Sequence, residues 1–223
     1  MKLAASSSAL PERLRLETRA LHAATERSGA MAALLAGRLP RPVYVQMMRN
    51  LHALYEALET ALQVHGAAEA VAALQAAPLA RAPALAEDLA LLHGPGWAEA
   101  LPLAATTQHY VARLQALARA APSEAAPPLV AHAYVRYLGD LHGGQVLQRL
   151  VGRHYGLGAE AGAAGTRFYD FGATPQVLAL RQQLRAALGA LPFDEAEQDT
   201  VVAEACWAFE QHRGLFIELL PAG

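Results

Sequence analysis

The sequence RYLGDLHGGQVLQRL, residues 136–150, places three glycines within six positions of a segment whose other residues favour a helix. Each glycine inside a helix costs about 1 kcal/mol relative to alanine, a residue that this chain uses freely elsewhere. Two structural interpretations account for Gly139, Gly143 and Gly144. They mark a break between two helices, or they let two helices pack closely through small residues.

A functional interpretation of the same glycines is that a flat ligand lies directly against the helix backbone, where any Cβ atom would collide with it. Gly139 and Gly143 are one helical turn apart and share a face. Asp140 would then lie beside the ligand, close enough to order water. Arg136, one turn earlier, would hold that carboxylate ionised and oriented. The pattern alone leaves the structural and functional interpretations open.

Helical periodicity extends through most of the chain. In VYVQMMRNLHALYEALETAL, residues 43–62, apolar side chains recur with the spacing of an amphipathic helix, at positions 47, 48, 51, 54, 55, 58 and 62. Residues 198–220 carry a similar stripe, and Asp194 followed by Glu197 predicts a capping box before it. Alternating β-branched runs are nearly absent, so a sheet is not expected.

Helix boundaries follow from proline, glycine and small polar residues. Thr174 before Pro175 predicts a helix start. Loops are predicted at RLPRP (38–42), HGPGW (93–97), APSEAAPP (121–128), GLGAEAGAAG (156–165) and ALPFDE (190–195). The sequence therefore predicts a single all-α domain of about eight helices over residues 1–223, with residues 1–9 flexible.

Composition excludes several classes of protein. The chain has 223 residues, is 54% hydrophobic and 17% charged, and carries a formal net charge of −2. These values suit a globular core and argue against a nucleic-acid-binding surface. Cys206 is the only cysteine, so no disulfide framework or CxxC motif is possible. No convincing signal peptide and no apolar run of membrane-spanning length occur, so we expect a soluble, cytoplasmic protein.

A histidine near the N-terminus shares a helix face with three charged residues. In RLETRALHAATE, residues 15–26, the spacing places Arg15, Arg19, His22 and Glu26 on one side. His22 can present Nε2 to a metal while Glu26 fixes its Nδ1–H, and the arginines can pair with carboxylates of a bound molecule. The alternative is a solvated face with a salt-bridged pair.

A second basic face lies on LALRQQLRAAL, residues 178–188, where Arg181 and Arg185 are four positions apart. Such a pair is usually a solvated surface, and it becomes an anchor where carboxylates dock nearby. No GxSxG, P-loop or HExxH motif competes with these candidates.

Taken together, these segments resemble the heme oxygenase family, the bacterial soluble type in particular. The resemblance is carried by YVRYLGDLHGGQVLQRLVGRHYGL (134–157) and by LRLETRALHAATE (14–26). It continues through GRLPRPVYVQMMRNLHALYEALE (37–59) and LRAALGALPFDEAEQDTVVAEACWAFEQHRGLF (184–216). It covers nearly the whole chain, from about residue 12 to 220.

The resemblance implies a fold in which heme b lies between a proximal N-terminal helix and a kinked distal helix that contains the glycines. His22 corresponds to the family's axial iron ligand, bound as neutral imidazole, and Glu26 to the partner of its other nitrogen. Asp140 corresponds to the distal aspartate that organises water for proton delivery. Gly139 and Gly143, with Gly144 adjacent, would let the porphyrin approach the backbone closely.

The resemblance also assigns the residues around the edge of the heme. Positions that contact the propionates are matched by Arg15, Tyr134 and Arg185, with Arg19 and Arg181 as supporting charges. Phe209 and Phe216 correspond to apolar walls of the pocket. The propionate contacts set the rotation of the ring, and the basic residue at Arg15 favours cleavage at the α-meso carbon.

The implied activity is the oxidative cleavage of heme to biliverdin, carbon monoxide and ferrous iron. Heme is both cofactor and substrate, O₂ is the oxidant, and a ferredoxin or flavin reductase supplies electrons. We expect a monomer that acts in iron acquisition or in chromophore supply, two roles that the sequence does not separate. The alternatives are a heme carrier or sensor without turnover, and a helical interaction domain without a cofactor.

Two histidines depart from the family pattern. His142 occupies a position where the family usually has serine, and His212 replaces an asparagine common in the family. His142 would join the distal water network or approach the iron in a resting form. Because histidine titrates near neutral pH, both substitutions are expected to affect water ordering and pH dependence.

Overall fold

The computed structural model describes residues 9–75, 78–158 and 164–220, which contain helices and no β-strand. The prediction of flexibility for residues 1–8, and part of the predicted loop at 156–165, lie outside the described residues. The helices in chain order are α1 (Leu10–Glu26), α2 (Gly29–Leu35), α3 (Arg41–Val64), α4 (Glu69–Gln75), α5 (Ala82–Leu92), α6 (Trp97–Ala100), α7 (Ala105–Arg119), α8 (Pro122–Ala133), α9 (Gly139–Tyr155), α10 (Thr174–Gly189) and α11 (Glu195–Leu219).

The all-α prediction is confirmed, and so are its best-defined helices. The stripe predicted over residues 43–62 lies within α3, and Pro175 occupies the first turn of α10. Asp194 accepts a hydrogen bond from the backbone N–H of Glu197, whose side chain accepts one in return from the N–H of Asp194. This capping box fixes the start of α11, the longest helix described.

The prediction of about eight helices agrees with the longer helices of the described residues, and α2, α4 and α6 are additional short ones of 7, 7 and 4 residues. One sequence-based expectation needs correction. The predicted loop at 121–128 is wrong, since α8 begins at Pro122 and continues through Pro127 and Pro128. Pro122 suits the first turn, and burial of every residue from Ala125 to Ala133 compensates for the two hydrogen bonds that the inner prolines cannot donate.

The segment around the three glycines is one continuous helical run. A π-helical segment, Tyr134–Leu138, joins α8 directly to α9. Gly139 itself has ordinary right-handed helical angles, φ −59° and ψ −50°. The interpretation of the glycines as a break between helices is therefore wrong. The departure from α-helical geometry lies in the turn before them, and such π segments occur frequently at functional sites.

The buried side chains form one cluster, with α3 near its centre. Tyr44, Met47, Met48 and Tyr55 of α3 are almost completely buried. α1 packs mainly against α11, and α3 packs against α5 and α7. No helix in the described part of the chain combines the length and the apolar composition of a membrane span. The π segment also contacts α11, so α11 connects it to the helix that carries His22.

The contact between α2 and α11 generates a stability prediction. Gly29 has a φ of +43°, and a Cβ there would lie inside the contact distance of the carbonyl oxygen of Phe216. We expect Gly29→Ala to lower the free energy of unfolding in urea by more than about 3 kcal/mol, from left-handed strain plus a backbone clash.

Gly156→Ala is the matched control, because Gly156 has a φ of +67° and no atom within 4 Å of a built Cβ. It should cost only the conformational strain, about 1–2 kcal/mol. Equal losses in the two variants would show that the close approach of Gly29 to α11 does not constrain the fold.

Candidate functional site

Two adjoining cavities lie between α1 on one side and the π segment with α9 on the other. The outer cavity has a volume of about 260 Å³ and the inner cavity about 340 Å³. Four residues line both: His22, Val135, Gly139 and Phe209. The two volumes are therefore parts of one slot, and the imidazole of His22 and the bare backbone at Gly139 lie where they meet.

The imidazole of His22 is held on the wall of this slot. Its side chain is 50% exposed, and its ring packs edge-on against Phe209 with 5.6 Å between centroids. Nδ1 lies 3.7 Å from a carboxylate oxygen of Glu26, which is too long for a direct hydrogen bond and suits a bridging water. The predicted pairing of His22 with Glu26 is thus present, and Nε2 is the nitrogen left for a ligand.

The glycines of α9 divide into two kinds. A Cβ at Gly139 would meet no atom within 4 Å, and one at Gly143 would meet only Cδ1 of Leu147, at 3.9 Å. Both residues line the slot, so their missing side chains leave space for a ligand and not for a neighbouring helix. Gly144 differs, because its Cβ would lie 3.2 Å from the carbonyl oxygen of Tyr169. Gly144 lies off both cavities and packs against protein backbone, so its contact with a ligand stays a prediction.

A buried polar network borders the inner cavity. Asp140 accepts hydrogen bonds from the Tyr55 hydroxyl and from Nη2 of Arg136, the latter at 3.0 Å. Arg136 also donates to the Tyr55 oxygen from Nε and Nη2, at 3.1 and 2.8 Å. The expected pairing of Arg136 with Asp140 is present. It orients the carboxyl group without keeping its pKa low, because burial raises the pKa of Asp140 well above its ordinary value.

His212 completes this network and corrects an expectation. Its Nδ1–H donates to the carbonyl of Ala208 at 2.7 Å, and its Nε2 accepts from Nη1 of Arg136 at 3.0 Å. Burial, together with the charge of Arg136, lowers the pKa of His212 to about 3. The expectation that His212 titrates near neutral pH is therefore wrong. At neutral pH it is a fixed acceptor that holds the guanidinium of Arg136.

Cationic side chains surround the mouth of the outer cavity. Arg15, Arg19 and Arg185 line it, together with Tyr134. Arg15 donates two hydrogen bonds to Glu12, at 2.6 and 3.0 Å. Arg181, predicted as a supporting charge, does not line either cavity, although its charge acts on His142. The two basic faces predicted from the sequence thus meet at one opening.

The interior of the slot is mostly apolar, and sequence reasoning missed much of it. Phe209 and Phe216 lie where they were predicted, on the wall of the inner cavity. Apolar neighbours not predicted as wall residues are Met31, Leu34, Leu51, Val146, Leu147 and Phe168. Tyr55 was also missed, because its position in the stripe of α3 made it indistinguishable from a core residue.

The arrangement fits a flat, largely apolar ligand with an anionic edge and a metal at its centre. The described residues contain no group of three or more His, Cys, Asp or Glu side chains that could hold a bare metal ion. One imidazole, Nε2 of His22, can instead add a single ligand to a metal that a macrocycle already holds. The open backbone at Gly139 and Gly143 leaves room for that macrocycle, and the arginines can pair with its carboxylates.

A family model, curated relatives and solved structures all point to the heme oxygenase family. The family model described as heme oxygenase matches residues 8–218. A protein of Synechocystis sp. named heme oxygenase 2 is 35% identical over 94% of this chain and 82% of its own length. The structure of heme oxygenase-2 from Synechocystis sp. in complex with heme and NO has a TM-score of 0.87 at 33% identity, covering 95% of this chain and 85% of that one. Heme oxygenase from Leptospira interrogans has a TM-score of 0.85 at 30% identity, with 93% and 98% covered.

The low pKa of His212 predicts a pH dependence of stability. Between about 6.5, the ordinary value, and about 3, the unfolded chain binds a proton that the folded chain does not. The stability contributed by neutral His212 is therefore complete above pH 6.5 and is lost as the pH falls toward 3, by up to about 1.4 kcal/mol per pH unit.

His212→Asn keeps an acceptor for Arg136 and removes the titrating ring. Urea unfolding at neutral pH and in mildly acidic buffer should give a smaller acid loss for the variant than for the wild type. Identical losses in the two proteins would contradict a neutral, buried His212.

Proposed function

The chain belongs to the heme oxygenase family, and from this premise we propose that it binds heme b across the two cavities and degrades it. The products are biliverdin, carbon monoxide and ferrous iron, formed with O₂ and with electrons from a donor protein. The observation that carries this proposal is the slot itself, where the His22 imidazole faces the bare backbone of Gly139 beside a buried carboxyl group.

Heme b fits the residues that line the slot. Its apolar ring suits the inner cavity, and its propionates suit the arginines at the outer mouth. The space at Gly139 and Gly143 is a cradle that any Cβ would partly fill. His22 would hold the iron through Nε2 as neutral imidazole, with Glu26 orienting the ring through Nδ1–H.

The protein contributes orientation and proton handling. Bound heme supplies both the iron that activates O₂ and the ring carbon that becomes oxidised. Burial raises the pKa of Asp140 well above its ordinary value, so this carboxyl group can hold and release a proton at the inner cavity. Tyr55 and Arg136 fix the carboxyl group from α3 and the π segment, so that it can order water on the side of the slot opposite His22.

The basic mouth would set how heme is rotated in the slot. Arg15, Arg185 and Tyr134 are placed to contact the propionates, and Arg19 adds positive charge. With the propionates at the outer mouth, the opposite edge of the ring enters the apolar interior. We propose that this rotation favours the α-meso carbon, and that a ferredoxin or flavin reductase reaches the edge of the heme that remains at the mouth.

The buried carboxyl group of Asp140 distinguishes the proposed enzyme from a heme carrier or sensor. A carrier requires an axial ligand and an apolar slot, but no carboxyl group beside the ligand. Burying Asp140 costs free energy, as its raised pKa indicates. Two residues from separate elements, Tyr55 and Arg136, orient the group, and His212 holds Arg136 in turn. Storing or sensing heme does not account for this arrangement, whereas delivering protons during turnover does.

Replacing Asp140 tests the proposed reaction. Ferric heme added to the apoprotein should give one Soret-absorbing complex per chain, and reductant in air should convert it to biliverdin with release of carbon monoxide. Asp140→Asn should bind heme with similar affinity and lose most biliverdin formation, because an amide cannot hold an acidic proton.

Glu210→Gln, which changes an exposed carboxylate on α11, is the control and should retain full turnover. A wild-type complex that only cycles between ferric and ferrous heme would contradict the enzyme and favour the carrier.

The two arginines at the mouth should differ in their effect on heme binding. Arg185 lines the outer cavity and makes no hydrogen bond to a carboxylate among the described residues, whereas Arg15 is already paired with Glu12. Arg185→Ala should accelerate heme dissociation about tenfold, the effect of losing one charge-assisted contact.

Arg15→Ala should accelerate dissociation less, about threefold, because Arg15 must give up an exposed ion pair before it binds a propionate. Both rates can be measured by transfer of heme to excess apomyoglobin. A larger effect at Arg15 than at Arg185 would contradict the idea that Glu12 competes with the propionate for Arg15.

A further inference from the structure

His142 presents a second imidazole to the slot. It lies on α9, one turn after Gly139, and lines the outer cavity together with His22 and Gly139. Its Nδ1–H donates to the carbonyl oxygen of Leu138, with a distance of 2.6 Å between the two atoms. That bond joins the ring to the preceding turn of the same helix, and the ring lines the same cavity as Gly139, where no side chain fills the space.

The hydrogen bond to Leu138 fixes which nitrogen of His142 can bind a metal. With Nδ1 carrying the proton, the lone pair of Nε2 is available, and among the described residues Nε2 has no hydrogen-bond partner. Both histidines of the slot can therefore present Nε2 to a ligand.

The surroundings of the two histidines match what iron requires of its ligands. A metal-binding histidine almost always donates its second N–H to a carboxylate, a backbone carbonyl or water, which fixes the ring. Glu26 is placed to do this for His22, and the carbonyl of Leu138 does it for His142. The two rings come from helices on opposite sides of the same cavity, α1 and α9.

We propose that Nε2 of His142 is a second axial ligand of the heme iron in the resting ferric protein. This inference rests on the proposed function, since it requires heme in the slot with His22 as first ligand. O₂ then has access to the iron only after the His142 side chain moves aside. Its anchor is a single hydrogen bond to Leu138, so the movement requires no change in the packing of α9. His142 thus controls when the iron becomes available, while Asp140 handles protons.

The spin state of the ferric complex tests this proposal without measuring turnover. Two imidazole ligands make ferric heme low-spin, whereas one imidazole with water leaves it largely high-spin. We expect optical and electron paramagnetic resonance spectra of the wild-type complex to be low-spin. His142→Ala and His142→Ser should both give high-spin complexes, and added imidazole should return them to the low-spin form. Because His142 is exposed, both variants should fold, and circular dichroism checks this.

His154→Ala is the matched control on the same helix. The ring of His154 contacts the carbonyl of Leu39 and lines neither cavity, so this variant should remain low-spin. Azide should bind the His142 variants at least about tenfold more tightly than the wild type, if the closed form accounts for nine-tenths of the molecules.

The possible outcomes separate this inference from the proposed function. A high-spin wild-type complex whose spectrum and azide affinity do not change in His142→Ala would overturn the second ligand and leave the heme oxygenase assignment intact. Failure of the wild type to bind heme would overturn the proposed function itself. A low-spin complex that stays low-spin in both His142 variants would also overturn the inference, because the second ligand would then be another residue.

Discussion

The arrangement of the inner cavity depends on the hydrogen bonds of one guanidinium group, that of Arg136. It lies in the π segment and reaches Tyr55 on α3, Asp140 on α9 and His212 on α11. A buried cation without partners would be too costly to keep, so each of these groups has to hold its position. Burial lowers the pKa of Arg136 to about 10, which leaves it charged at neutral pH. One charged group thereby joins three helices around the inner cavity.

Side chains in the interior of the slot and at its mouth differ in burial, and this determines how their charges behave. In the interior, side chains are buried, and their protonation is set by desolvation, as the opposite pKa shifts of Asp140 and His212 illustrate. At the mouth, Arg15 and Arg185 are exposed, so their interactions are screened and can exchange partners. Rigid groups thus lie in the interior of the slot, and groups that can exchange partners lie at its mouth.

The sequence predicted the parts of the site that depend on local spacing. Arg15, Arg19, His22 and Glu26 were expected on one face of a helix, and they all line the slot. The role of Gly139 as open backbone likewise followed from the cost of a glycine in a helix. Such features depend on spacing within one or two helical turns, so they do not depend on how the helices pack together.

What the sequence could not predict depends on contacts between distant segments. Tyr55 is separated from Asp140 by 85 positions, and nothing in its own helix distinguishes it from a core residue. Gly144 looks like Gly143 until Tyr169 is known to pack against it. The low pKa of His212 needs both burial and Arg136, which come from the packing of α11 on the π segment. Helix content was overlooked at 121–128 for the same reason, since only tertiary burial makes Pro127 and Pro128 acceptable there.

The π segment at Tyr134–Leu138 also changes the direction in which the side chains that follow it point around the axis of one long helix. A π turn corresponds to one residue more than an α turn, and each residue advances an α-helix by about 100° around its axis. The segment therefore sets the rotation between the face of α8 that packs in the core and the face of α9 that lines the slot. A chain shortened by one residue at this point could keep the same helix and the same composition. Its glycines and Asp140 would point in a direction set by the core, about a quarter turn away from Tyr55 and the imidazole of His22.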